Sequence, residues 1–435
     1  VNNFKNLVLF VGCLLAFNCN AAVKIEHWQT ASGARVYFVE NHDLPIVDLS
    51  VNFAAGGARD TAEKSGVAGI TRYMMTLGAA GLNDEALTNR FADVGAVLSG
   101  DFDADRASLK LRTLSSTTEQ TQALDTFKKI LQQPDFSQAV LTREKARIIA
   151  GIQESETQPE SISSKAFMSA LYGQHPYGLD SGGTVASVTA ISTQDLQQFY
   201  QQHYGANGAV IAMIGDLTRE QASKIADDIA SGLPKTTAPT SLPAVSLPSV
   251  ENTQKIAHPA SQSHILIGYP GIKRIDPDYF TLYVGNYILG GGGFVSRLTE
   301  EVREKRGLVY SVYSYFMPMQ ENGPFQIGLQ TKKEQSNEAL KLVNETLEKF
   351  MQNGVTEKEL QAAKDNIIGG FPMRIDSNGK ILDYISMIGF YQLPLTYLDD
   401  YNKKIAAVTT AQIKEAFNRR IDRKKLVTVI VGGQD

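Results

Sequence analysis

Apolar residues recur along this chain with two spacings, helical and strand-like, and the order in which they alternate is itself repeated. Over residues 191–215, ISTQDLQQFYQQHYGANGAVIAMIG, a Ser-capped stretch with helical apolar spacing passes through a polar turn into an apolar strand ending at Gly215. Residues 408–432, VTTAQIKEAFNRRIDRKKLVTVIVG, follow the same order without a gap, at an offset of 217 (191 to 408). Earlier in each half, IVDLSVNF (46–53) and HILIGY (264–269) each predict a strand followed by Gly or Pro and then a helix. The second of these helices carries Phe280, Tyr283, Val284, Tyr287 and Ile288 on one face. Strand alternation recurs at ASLKLRTL (107–114) and LVYSVYSYF (308–316). Between the halves, GLPKTTAPTSLPAVSLPSV (232–250) carries Pro234, Pro239, Pro243 and Pro248 and predicts an extended connection. The pattern predicts an α+β fold of two domains related by duplication.

The stretch GVAGITRYMMTLGAAG (66–81) predicts a short helix. Val67, Ile70, Met74 and Leu77 share the side that a core would take, whereas Gly69, Arg72, Tyr73 and Thr76 share the other. That second face reads as a site, the remains of one, or an ordinary solvated surface.

Composition narrows the function classes. The 435 residues, 43% of them apolar, suffice for two cores, and a formal net charge of −4 gives no general pull toward nucleic acid or anionic lipid. Residues 1–22, VNNFKNLVLFVGCLLAFNCNAA, have the form of a secretory signal: one Lys, an apolar run from 7 to 17, then small residues. That run is too short to span a membrane. Both cysteines, Cys13 and Cys19, lie inside it. The chain after residue 22 therefore offers no disulfide, thiolate metal site or cysteine nucleophile. A periplasmic protein is the expectation.

A hydrolytic zinc site needs about three His or carboxylate ligands. The six histidines are His27, His42, His175, His203, His258 and His264, and no two are three or four residues apart. His258 and His264 read as surface residues, and His175, in QHPYG, as a packed or capping one. The run Gly290, Gly291, Gly292, Gly293 invites a phosphate-loop reading, but Phe294-Val295-Ser296 follows where Gly-Lys-Ser/Thr is required. What remains is a turn feeding the helix that starts at Ser296, or a close approach to another backbone. The segment SRLTEEVREKRGLVYSVYSY predicts a helix over 296–307, capped by Gly307, and a strand directly after it. Arg303 and Tyr310 flank that turn. They could together donate to a carbonyl or its oxyanion, or Arg303 pairs with Glu300 or Glu304 while Tyr310 packs in a sheet.

This Arg/Tyr segment resembles that of the M16 (pitrilysin-like, inverted zinc motif) peptidase family, and HPYGLDSGGTVASVTAISTQDLQQFYQQHYGANGAVIAMIGDL resembles the end of the family's first domain. The resemblance spans residues 23–435. It implies two homologous M16-type α+β domains forming half of a clamshell: a first domain at 23–232, a Pro-rich linker at 233–257 and a second domain at 258–435. It also implies that Arg303 and Tyr310 contact the scissile carbonyl. Active members carry His-x-x-Glu-His on the first helix and a further Glu ligand in a later helix. Here Gly69 and Tyr73 stand at the two His positions, Arg72 at the base, and Gly151 at the third ligand, so every ligand is vacated. The resemblance then implies no cofactor in this chain, zinc in a partner M16 subunit carrying His-x-x-Glu-His, and unstructured peptides as substrates. The glycines 290–293 resemble a short form of the glycine-rich loop in the non-catalytic subunit of the mitochondrial processing peptidase, and would bind substrate. Two other readings stand beside this one: a stand-alone peptide-binding pseudopeptidase, and an independent zinc peptidase with an unrecognised site.

Overall fold

The computed structural model describes residues 23–432; the leader read at 1–22 lies outside them. Thirteen strands are described: β1 (Glu26–Gln29), β2 (Arg35–Glu40), β3 (Ile46–Phe53), β4 (Gly78–Ala79), β5 (Leu82–Asn83), β6 (Val97–Ser99), β7 (Ala107–Leu114), β8 (Val210–Gly215), β9 (Asn252–Ile256), β10 (Gln262–Pro270), β11 (Val309–Phe316), β12 (Pro324–Lys332) and β13 (Val427–Val431). They build one sheet of order β1-β2-β8-β3-β7-β6, another of order β11-β12-β10-β13-β9, and the small β4-β5 pair.

The duplication is carried by the backbone. Helix Thr193–His203 and helix Thr410–Arg420 occupy positions 217 residues apart, and each begins with a reciprocal cap, Ser192 with Asp195 and Thr409 with Gln412. The strands after them, β8 and β13, each pair antiparallel with β3 or β10 on one side and parallel with β2 or β9 on the other. One sequence expectation needs correcting here. Residues read as the end of the linker, Asn252–Ile256, are the edge strand β9. Its sequence, NTQKI, is half-exposed at alternate positions and never fully buried, so no apolar alternation marks it.

Each sheet packs a helix layer of its own on one face, and the other face is closed from across the molecule. Helix Pro159–Tyr172 of the first half lies on β10 and β13, whereas helix Asn378–Phe390 of the second half lies on β2, β3 and β8. Two glycines permit this exchange. A Cβ on Gly268 would stand 2.5 Å from Phe167 Cζ, and one on Gly389 would stand 2.7 Å from both Tyr37 Cδ2 and Val210 Cγ1. Between the halves, buried Asp105 accepts hydrogen bonds from Tyr177 Oη (2.6 Å), Tyr391 Oη (2.8 Å) and the Gln320 amide (2.7 Å). Burial raises its pKa against the pull of these donors.

Two outcomes follow. Gly268→Ala and Gly389→Ala should each cost about 1–3 kcal/mol through overpacking, read as a lower urea midpoint. Gly369→Ala, with nothing within 4 Å of its Cβ, should cost nothing. The second outcome concerns acid. Burial, with Arg59 nearby, holds His203 down at about 4 from an ordinary 6.5. The unfolded chain therefore takes up this proton first, and stability falls as pH drops from about 6.5 to 4. Thermal midpoints across that window should fall less steeply for His203→Gln than for the parent; equal slopes would contradict it.

Candidate functional site

The helix expected over 66–81 runs as Val67–Met74, tightens into a turn at Met75–Leu77, and stops. It stops short because Ala80 and Gly81 both adopt positive φ (52° and 77°) and turn β4 back onto β5. Its start is fixed by buried Asp60, which accepts from the amides of Gly66 (2.7 Å) and Ala68 (2.9 Å). Burial drives that carboxyl up to about 7. Val67, Ile70 and Met74 enter the core as the periodicity requires.

Phe102 and Arg72 fill the polar face. A Cβ on Gly69 would touch the Phe102 ring at 3.4–3.5 Å, so this aromatic covers the place where a first ligand side chain would begin. Arg72 lies along the β6–β7 hairpin, its Nε donating to the Ser108 carbonyl at 3.3 Å and its Nη2 lying against Gly100. Burial lowers its pKa. Tyr73 donates through Oη to Glu144 Oε2 at 3.3 Å. Glu144 is buried and also receives Arg143 Nε (2.6 Å) and Arg147 Nη1 (3.2 Å). Gly151, further along the same helix Gln138–Ser155, is exposed with open space beside it.

One carboxylate clasped by two arginines does not fit a zinc ion. Among the described residues, no three His, Cys, Asp or Glu side chains are grouped to hold a metal. The histidines are engaged elsewhere. His175 is buried, accepting the Tyr177 amide and donating to the Pro243 carbonyl, in agreement with a capping role. His258 and His264, read as surface positions, are half-buried; His258 caps the Ala260 amide and His264 lies within β10. Sequence reading missed Glu144 and Phe102. The only signal for Glu144 was a lone acid between basic residues in REKAR, and for Phe102 there was none.

The Arg/Tyr segment is built differently from a plain helix. Ser296 Oγ donates to the Gly293 carbonyl (2.8 Å), and the chain then makes a wide turn over Thr299–Glu304, with the Lys305 amide reaching the Glu300 carbonyl. Gly307, at φ 61°, ends it by donating to the Arg303 carbonyl. Strand β11 follows and forms an outer edge of its sheet, paired only with β12. Val309 faces Thr331 and Ser311 faces Gln330, so Tyr310 is the extra residue of a β-bulge and is 81% exposed. Arg303 lies 4.9 Å over the exposed Phe294 ring, and its Nε is 3.6 Å from Glu304, a weak surface pair. Tyr310 is not packed in the sheet. No hydrogen bond or ion pair joins this segment to helix Val67–Met74 among the described residues.

The glycine run divides in two. Gly290 is buried where a Cβ would meet Ser314 Oγ at 2.4 Å, a close approach to β11 locked by Asn286 and Ser314, which exchange two hydrogen bonds. Gly291 and Gly293 are exposed, Gly292 is half-buried, and Gly293 has positive φ with open space around it.

Comparison with known proteins agrees with this geometry. Residues 35–184 match the family described as "Insulinase (Peptidase family M16)", and residues 190–367 match "Peptidase M16 inactive domain". A crystal structure of a peptidase M16 inactive domain from Pseudomonas fluorescens is 38% identical, with a TM-score of 0.91, covering 95% of this chain and 99% of that one. A protein named "Non-peptidase homolog YmxG" from Helicobacter pylori is 24% identical over 98% of both chains. An "Uncharacterized zinc protease YmxG" from Bacillus subtilis is 24% identical over 81% of this chain and 85% of its own. With two duplicated domains of that fold and these matches over both of them, the chain belongs to the M16 peptidase family.

Proposed function

We propose that this chain is the zinc-less half of a periplasmic M16 heterodimer, holding extended peptides and polarising their scissile carbonyl beside a partner subunit that carries His-x-x-Glu-His. The observation that carries this reading is the contrast between the two sites. The helix face that the resemblance would make a metal position is covered by Phe102, Arg72 and Tyr73, whereas Tyr310 stands 81% exposed on a bulge at an open sheet edge with Arg303 near the turn before it. A bulge at an edge strand re-aims a side chain away from the ladder. The unpaired backbone groups of β11 can take an extended peptide as an added strand, and the exposed Gly291 and Gly293 give its backbone close access. Arg303 and Tyr310 then donate hydrogen bonds to the carbonyl oxygen, which strengthen as negative charge develops there. Phe294 holds the Arg303 guanidinium from below. The zinc and the general base belong to the partner, and no step of this chain runs through them. The apolar run at 7–17 supports export, and the balanced charge argues against nucleic acid as a partner.

Reconstitution with such a partner tests the reading. In the cleaving pair, Tyr310→Phe and Arg303→Ala should each lower turnover of an unstructured peptide by about 10²-fold or more, as for a lost oxyanion donor. Unchanged turnover in both would return the two residues to the surface. Metal content separates the remaining reading: after dialysis against zinc, the chain alone should retain no stoichiometric metal and show no chelator-sensitive cleavage. One equivalent of zinc with such cleavage would establish an independent peptidase.

A further inference from the structure

Away from the Arg/Tyr edge, the ends of the two sheets meet at a seam that holds a partly open cavity of about 420 Å³. Its wall takes Arg35 from the start of β2, Arg274 from the turn after β10, Gln320 from the β11–β12 loop, and Gln392 following the exchanged helix. A second cavity of about 550 Å³ shares Arg274 and Gln392 with the first, and is walled by the rings of Tyr279, Phe280 and Tyr397 and by Lys404. A polar chamber and an aromatic one therefore meet at a single guanidinium.

The cations here have no anionic partner among the described residues. Among the described residues, Arg35, Arg274 and Lys404 form no salt bridge. Arg35 donates to the Gly389 carbonyl at 2.9 Å, Arg274 lies 5.4 and 5.6 Å from the rings of Tyr279 and Tyr391, and Lys404 lies 5.2 Å from Phe280. The acid in the wall, Asp276, is already engaged by Arg420 at 2.9 Å. Two buried polar atoms at the seam, Arg274 Nε and Gln320 Oε1, have no hydrogen-bond partner. Native structures seldom leave such groups unpaired. Gln392 is held at φ 53°, a conformation that costs a non-glycine residue energy and clusters at functional sites.

We propose that this seam binds a carboxylate carried on an aromatic or large apolar body, such as the C-terminal residue of a peptide. The carboxylate meets the planar fork of Arg274, which suits bidentate recognition, and the body fills the chamber of Tyr279, Phe280 and Tyr397 beside Lys404. The polar chamber is lined from both halves and the aromatic chamber from the second alone, and the site requires neither zinc nor a partner subunit, so it stands apart from the cleavage reading above.

Calorimetric titration of the whole chain at low ionic strength tests it, with N-acetyl-phenylalanine, its amide and inorganic phosphate as probes. The acid should bind, and the amide about tenfold or more weaker, because a charge-assisted hydrogen bond is lost. Arg274→Gln should weaken the acid to the level of the amide, and Lys404→Gln should weaken it less. Arg274→Lys, which keeps the charge and loses the fork, should fall between. Lys404 is exposed, so its variant remains informative if the Arg274 variants fail to fold. Three results would overturn the assignment: no binding of the acid, equal binding of acid and amide, or phosphate binding as tightly as the acid. So would acid binding that neither Arg274→Gln nor Lys404→Gln changes.

Discussion

The two sheets of this molecule cannot each be closed by their own half. Helix Pro159–Tyr172 covers the second sheet and helix Asn378–Phe390 covers the first, so the apolar face of each depends on a segment from the other half of the chain. The exchange works because Gly268 and Gly389 leave space that Phe167, Tyr37 and Val210 occupy. It also brings Tyr391 and the Gln320 amide onto Asp105, a buried carboxylate that is tolerable only because three donors satisfy it. A removed donor would leave a buried carboxylate short of a partner. The two halves thus have one packed relation, and everything placed on them inherits it, including the face of Gly69, Arg72 and Tyr73, the Arg/Tyr edge and the seam cavities.

Among the described residues, the face read from the sequence as a vacated metal position offers no donor set for a dication. A dication needs several anionic or neutral donors; here a glycine gives none, an arginine repels the ion, and the buried carboxylate Glu144 is taken by Arg143 and Arg147. Phe102 then occupies the space over Gly69. At β11 the selection runs the other way. The bulge at Tyr310 leaves the strand edge open and the phenol in solvent, although an edge that exposes aromatic residues invites unwanted pairing. A fold that only had to be stable would gain by covering it.

Much of this was legible in the sequence because it rests on local signals. The Ser/Thr-capped helices at Ser192 and Thr409, with the apolar strands after them, gave away the duplication, and the segment around Arg303 and Tyr310 resembled the family that the comparisons show. What was not legible depends on partners distant in the chain. Strand β9 is stabilised by its parallel neighbour and carries no alternation of its own. The helix exchange has no sequence mark except two glycines among 36. The bulge that turns Tyr310 outward arises from its register against Gln330 and Thr331, which no periodicity in LVYSVYSYF reveals. Phe102 acts as a plug only because the β6–β7 hairpin happens to carry it over Gly69.

The central claim is that this chain completes a site whose metal belongs to another subunit. Titrating it into a zinc-loaded M16 subunit that carries His-x-x-Glu-His, while following cleavage of an unstructured peptide, tests that claim most directly. The rate should rise with each addition and saturate at one equivalent. A rate that stays at the level of the partner alone, at every ratio, would contradict the account.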